Sequence, residues 1–247
     1  MSYKNIPRLF IDKELKLQTI IYLNKNDKHY LKNVLRMKID NTLLLFNGKD
    51  GEWLAKIQDN KKFNLKCVEL IKKQEVFNGP TFYFSIIKPT NLRWLIEKLT
   101  ELGVKKICPI VTDYTNSKKF NERKAFHYMK EASEVSERLN LPYLEKLSTF
   151  KDFIKKIKND QENVIFCNEN RKDISLAKYF KINFSRKISF LIGPEGGFSP
   201  EELKILLSTK NVISVKLNKR IMRAETAAIF SLSTYNTFLD LNEVKSE

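Results

Sequence analysis

The chain has 247 residues, with 45 Lys+Arg against 29 Asp+Glu and a formal net charge of +16, an excess that points to a polyanionic partner such as a nucleic acid. Hydrophobic residues make up 42% and aromatics 11%, enough for one large core or two smaller ones, which excludes wholesale disorder. No run approaches the roughly 20 apolar residues of a membrane span, and the opening MSYKNIPRLF lacks the apolar segment of a signal peptide, so a soluble cytoplasmic protein is expected.

Cys67, Cys108 and Cys167 are widely spaced within apolar runs, and His29 and His127 are the two histidines; this suits reduced core thiols and implies no metal. A lysine- and asparagine-rich composition explains part of the charge, but not why acidic residues fail to keep pace. The excess is densest in residues 1–75, which hold 16 basic and 9 acidic residues.

Up to about residue 73 the pattern is strand-like. Apolar runs at 9–11, 19–23, 42–46 and 65–68 are separated by polar turns, and Asn47-Gly48-Lys49-Asp50-Gly51 has the glycines of a hairpin connection. One helix is predicted over 28–35, capped by Asn26 or Asp27, with Tyr30, Leu31, Val34 and Leu35 on its apolar face. Asn78-Gly79-Pro80 separates this β-rich domain, drawn as 1–73, from a second, 74–247.

The second domain alternates strands and helices. A strand at 82–87 leads to a helix capped by Asn91 and stopped at Gly103; a strand at 107–111 precedes an amphipathic helix over 121–139 and another helix over 150–158. Strands at 163–167, 188–192 and 212–217 follow, with helices after the last two. Such alternation predicts an α/β domain with a largely parallel sheet covered on both faces.

Three of the seven glycines fall within five positions, in Ile192-Gly193-Pro194-Glu195-Gly196-Gly197-Phe198-Ser199-Pro200-Glu201-Glu202. Ser199 as N-cap, Pro200 in the first turn and Glu202 completing a capping box mark a strand-to-helix loop. Ligands bind beyond the carboxyl ends of strands in open α/β sheets. The loop fits no phosphate-binding pattern and carries Glu195, which favours a cationic or zwitterionic ligand over a triphosphate. A second polar cluster, Leu217-Asn218-Lys219-Arg220-Ile221-Met222-Arg223-Ala224-Glu225-Thr226-Ala227, also joins a strand to a helix. On spacing alone it is either another ligand loop or an Arg223–Glu225 surface pair with Thr226 as a cap.

Together the two segments resemble the paired signature of RsmE-type 16S ribosomal RNA uridine N3-methyltransferases, members of the SPOUT class. The resemblance extends to His29 through Met37, to Lys88 with Glu101-Leu102-Gly103-Val104, and to Glu131 through Arg138. Val135 and Glu137 stand where the family usually has Gln and Gly, and Asn218 where Gly is common.

The resemblance implies a PUA-like β-barrel that binds RNA, followed by a SPOUT α/β domain with a C-terminal trefoil knot, acting as a homodimer on small-subunit ribosomal RNA or the assembled 30S subunit. It implies S-adenosyl-L-methionine as cofactor, held by Ile192, Gly193, Pro194, Glu195, Gly196, Gly197, Leu217, Asn218, Ile221, Met222, Arg223 and Ala224. Arg223 is expected to stabilise charge on the uracil or to orient the base, and Glu225 to remove the N3 proton or to orient Arg223. Arg8, Lys32, Arg36, Lys38 and Lys88 are the expected RNA contacts. Trp53, Trp94 and Tyr30 are able to stack on a base, with core packing as their alternative use. A SPOUT enzyme acting on another RNA or another atom, and a noncatalytic ribosome-assembly factor, are the competing readings.

Overall fold

The first apolar runs pair into one mixed sheet. In the computed structural model, which describes residues 6–59, 62–116, 118–160, 162–170 and 172–243, β1 (Arg8–Phe10), β2 (Ile20–Ile21), β3 (Thr42–Phe46), β4 (Glu52–Ile57) and β5 (Leu65–Lys72) take the order β1-β3-β4-β5-β2. β1 runs parallel to β3 and the other pairings are antiparallel. The sheet is half a barrel, closed over Leu9, Leu31, Leu43, Leu45, Ile57 and Leu65. β4 escapes a pattern reading because charged Glu52 and Lys56 interrupt its apolar positions.

The helix in this unit differs from the sequence expectation. α1 spans Lys25–His29 and is capped by Asn24, whose side chain accepts from the Asp27 amide, rather than by Asn26 or Asp27. It passes into a π-helical turn, Tyr30–Val34, in which the Leu35 amide reaches the Tyr30 carbonyl. The wider turn rotates the side chains out of 3.6-residue register: Leu31 is buried, while Tyr30 and Val34 are exposed. Arg36 then takes a left-handed φ of 53°.

The compact unit holding this sheet comprises the chain up to Val76 together with Ser133–Leu141; the other holds Phe77–Ala132 and the chain from Pro142 onward. The second unit carries β6 (Thr81–Ser85), α2 (Pro89–Glu101), β7 (Lys106–Val111), most of α3 (Glu122–Val135), β8 (Tyr143–Leu144), β9 (Ser148–Thr149) and α4 (Phe150–Asn159). It continues with β10 (Asn163–Cys167), α5 (Leu176–Asn183), β11 (Ile188–Ile192), α6 (Pro200–Ser208), β12 (Val212–Val215) and α7 (Ala224–Glu243). All its strand pairings are parallel, in the order β12-β10-β11-β6-β7-β8 with β9 beside β7. Every residue of β6 and β11 is buried, as a sheet covered on both faces requires. Phe82, Phe84, Ile165 and Phe190 face one core and Tyr83, Phe166 and Leu191 the other. β12 lies on the far side of β10 from β11, so the chain recrosses β10 before entering α7.

Three helix boundaries depart from expectation. α2 starts from Lys88 with Pro89 in its first turn, so the fixed φ of proline, not an Asn91 cap, sets its start. α5, preceded by Ser175 as cap, was not anticipated in the short polar stretch after β10. α3 stops at Val135 rather than near residue 139, and Glu137 sits at φ 60°. That left-handed position explains why glycine is the usual family residue there, since a Cβ is strained in this region. Glu137→Gly is expected to raise stability by about 0.5–1 kcal/mol, read as a higher urea midpoint; the Lys72–Glu137 pair it removes is solvent-exposed, 48% and 70%, and contributes little. A lower midpoint would refute the strain assignment.

Candidate active site

Strands β10, β11 and β12 end side by side, and their following loops enclose a cavity of about 300 Å³. The β10 end supplies Phe166, Cys167, Asn168 and Glu169 to its wall. From the β11 end come Ile192, Gly193, Pro194, Glu195, Gly197 and Phe198, and from the segment after β12 come Leu217, Asn218, Arg220, Ile221, Met222, Arg223, Ala224 and Ala227. The structure therefore brings together every expected cofactor contact except Gly196.

Each glycine in the loop has its own local reason. A Cβ on Gly193 would lie 2.7 Å from the Phe198 ring, which folds back over it and packs edge-on against Phe166 with centroids 5.3 Å apart. A Cβ on Gly196 would lie 3.3 Å from the Tyr114 Cβ. Gly197 closes a turn by donating its amide to the Pro194 carbonyl at 2.9 Å, with φ 72°. Within the protein itself, Gly193 and Gly196 make room for aromatic side chains, and Gly197 satisfies a left-handed turn.

The loop is held at both flanks. Ser199 and Glu202 form the expected capping box. The Ser199 hydroxyl also donates to Asp113 Oδ2 at 2.6 Å, and the Asp113 amide donates to Glu202 Oε1 at 3.0 Å. Burial pushes the Glu202 carboxyl above the usual range. On the other flank, the Lys88 amide donates to Glu195 Oε1 at 3.1 Å.

The β10 end, which sequence reasoning passed over, has a comparable support. Asn168 Nδ2 donates to Asp173 Oδ2 at 3.2 Å and to Ser214 Oγ at 3.0 Å, and the Ser214 hydroxyl donates to Asp173 Oδ2 at 2.6 Å. The position of Asn168 and Glu169 at a strand's carboxyl end was the available signal. Cys167 on the same wall is a neutral thiol, which burial pushes up to about 12, so it is no thiolate nucleophile.

Arg223 and Glu225 part company. Arg223 is exposed, lines the cavity and accepts the Ala227 amide on its carbonyl at 2.8 Å, which fixes it at the start of α7. Its guanidinium makes no ion pair or hydrogen bond among the described residues. Glu225 is only 5% exposed, lies off the cavity wall, and has one carboxylate oxygen without a hydrogen-bond partner among the described residues. The Arg223–Glu225 surface pair, one of the two readings of this segment, does not form among the described residues.

Of the expected RNA contacts, Lys32, Arg36, Lys38 and Lys88 are exposed. Arg8 is not: its side chain is 7% exposed and ion-paired with Glu52 at 2.7 Å, a correction with a plain cause in the burial of its partner carboxylate. Trp94 and Tyr30 are exposed at 45% and 38% rather than in a core. Trp53 is half-buried, with its indole N–H donated to the Asp50 carbonyl.

A parallel α/β sheet with two loops clasping a cavity of mixed charge, in a chain that also carries a basic β-rich unit, is the composition of an RNA methyltransferase. The family model for the RNA methyltransferase domain matches residues 79–236, and that for the RNA methyltransferase PUA domain matches residues 23–66. A relative from Rickettsia conorii, ribosomal RNA small subunit methyltransferase E, is 37% identical over 230 residues, covering 92% of this chain and 93% of that protein. The Synechocystis protein of the same name is 28% identical over 94% of this chain and 78% of its own length. The chain belongs to the ribosomal RNA small subunit methyltransferase E family.

Among solved structures, the ribosomal RNA small subunit methyltransferase E of Neisseria gonorrhoeae bound to S-adenosyl methionine superposes with a TM-score of 0.81 at 24% identity, over 94% of this chain and 98% of that one. A putative methyltransferase of Legionella pneumophila in complex with the same cofactor gives the same values. Among the described residues, no helix is long and apolar enough to cross a membrane.

Proposed function

We propose that the protein transfers a methyl group from S-adenosyl-L-methionine to N3 of one uridine in 16S ribosomal RNA. The observation that carries this reading is the cavity at the ends of β10, β11 and β12, with Arg223 on its wall and unpaired among the described residues. Its volume falls at the lower end of the roughly 300–1,000 Å³ of small-molecule sites. The wall combines two carboxylates, Glu169 and Glu195, with two guanidiniums, Arg220 and Arg223, and apolar Ile192, Leu217, Ile221 and Met222. That set fits a ligand with an apolar aromatic base at one end and a zwitterion carrying an extra positive charge at the other. When bound, the cofactor supplies an electrophilic methyl group on a sulfonium centre.

The remaining work falls to the chain itself. The apolar side chains and the backbone of Gly193, Leu217, Asn218 and Met222 would hold the nucleoside part, and Glu169 and Glu195 would favour a cationic ligand. Arg223 stabilises negative charge on the uracil carbonyls as the N3 proton leaves. A buried Glu225 does not suit proton transfer at the cavity, so this proton passes to solvent, and Glu225 acts at the start of α7.

Lys32, Arg36, Lys38 and Lys88 are the proposed phosphate contacts. Residues 1–73 are read as the RNA-binding PUA-like domain and 74–247 as the catalytic domain, knotted at its C-terminal end. A cytoplasmic homodimer acting on small-subunit RNA or the 30S subunit completes the proposal, supported by the family's resemblance. Calorimetry with S-adenosyl-L-methionine tests it first, followed by transfer of labelled methyl to small subunits lacking the modification. Saturable binding and RNA labelling are expected; a folded protein that binds no cofactor would favour a noncatalytic assembly factor.

A further inference from the structure

Tyr114 lies in the loop after β7, next to the Gly-rich loop. The loop is fastened on both sides. Thr112 and Thr115 bind each other through amide, carbonyl and hydroxyl groups, with the Thr112 hydroxyl also reaching buried Ser85 at 3.3 Å. Asp113 accepts the Ser199 hydroxyl and donates its amide to Glu202. Between these anchors Tyr114 is 48% exposed, and its ring and hydroxyl have no aromatic or hydrogen-bond partner among the described residues. Gly196 leaves room for it: a Cβ there would meet the Tyr114 Cβ at 3.3 Å.

Ordering an aromatic residue in a rigid loop while leaving its ring in water gains the fold little. Such a ring serves a ligand with a flat face. The two residues flanking Gly196, Glu195 and Gly197, line the cavity, and the exposed Lys88 is tied to Glu195 through its amide. A cation and a bare aromatic ring thus adjoin the same loop, in a chain with a net charge of +16. Unpaired RNA bases are recognised by stacking on aromatic rings, with cations holding the adjacent phosphates.

We infer that the Tyr114 ring is a stacking platform for the target base or its immediate neighbour in the RNA, a substrate-binding role that rests on the methyltransferase reading above. Trp94, on α2, and Tyr30, in the π-helical turn, are exposed too, but neither belongs to the loop after β7.

The test compares Tyr114→Ala, Tyr114→Phe and the unaltered chain in methyl transfer to unmodified small subunits, alongside calorimetry with S-adenosyl-L-methionine. Tyr114→Ala is expected to lower kcat/KM for RNA by about 10-fold to 100-fold, mainly through KM, while Tyr114→Phe stays within about 3-fold of the unaltered chain. Cofactor affinity is expected to be unchanged in both. Full activity of Tyr114→Ala would overturn the inference, as would a matching loss of cofactor affinity, which would make the ring a brace for the loop. Loss of activity in Tyr114→Phe would overturn it in favour of the hydroxyl. If the unaltered chain itself transfers no methyl, the methyltransferase reading fails.

Discussion

Arg223→Ala is expected to reduce methyl transfer by about 100-fold to 1,000-fold, the usual cost of removing one charge-stabilising donor from a partly dry site, while cofactor affinity stays within a few fold. The residue is placed by the first turn of α7, its guanidinium is unpaired among the described residues, and it stands on a cavity wall that also carries Glu169 and Glu195. A positive group with no internal partner keeps its full field for the ligand. The uridine imide must lose a proton to become nucleophilic at N3, so a cation at its carbonyls acts on the step with the largest charge change. Arg223→Lys is expected to recover part of the rate, because it restores charge without the planar fork. Single-turnover transfer and calorimetry together decide the matter. A parallel collapse of cofactor affinity would make Arg223 a cofactor-binding group instead.

Arg8→Ala is expected to destabilise the β-rich unit by about 3–5 kcal/mol, the cost of leaving a buried ion-pair partner uncompensated. Arg8 Nε meets Glu52 Oε1 at 2.7 Å, and the remaining guanidinium nitrogens donate to the carbonyls of Ser133, Glu134 and Arg138 at 2.8–3.1 Å. The guanidinium also lies 4.5 Å from the Phe46 ring centroid. Without Arg8, the Glu52 carboxylate, 1% exposed, keeps only Lys72 at 3.8 Å among the described residues. The carbonyls of Ser133 and Glu134 in the last turn of α3, and that of Arg138 beyond it, lose their donor at the same time. Replacing Arg8 and Glu52 together by Met and Leu is expected to return much of the loss, since the penalty lies in the stranded charge. Urea unfolding measures both variants. A loss below 1 kcal/mol for Arg8→Ala, accompanied by weaker RNA binding, would restore the phosphate-contact reading.

The course of the second unit was legible because its strands are buried on both faces and so read as continuous apolar runs. The strands at 163–167 and 188–192 and the hairpin strand 42–46 have their observed bounds, and Ser199 announced α6 through its capping box. Elements set by backbone geometry were hidden. The π turn after His29 and the left-handed Glu137 leave no mark in hydrophobic period, and Pro89 outweighs the Asn91 cap by fixing φ. β4 and α5 are interrupted by charged and polar residues.

The site was legible as two loops, since glycine clustering and strand-end position are local signals. What those signals do not encode is tertiary: that Gly193 and Gly196 make room for Phe198 and Tyr114, that Glu225 turns inward, and that Arg8 is consumed by Glu52. Nor does any local signal join Asn168 to Asp173 and Ser214, which lie up to 46 residues apart. A charged residue's partner depends on which strands pair, and a composition count has no access to that.

The central claim is a single methyl group on N3 of one uridine in the small-subunit RNA. Nucleotide-resolved mapping of 16S RNA, after incubation of unmodified small subunits with the protein and S-adenosyl-L-methionine, tests it most directly. One new 3-methyluridine, absent when Arg223→Ala is used, is the predicted result. A methyl group on a ribose oxygen, on another base or on another RNA would contradict it.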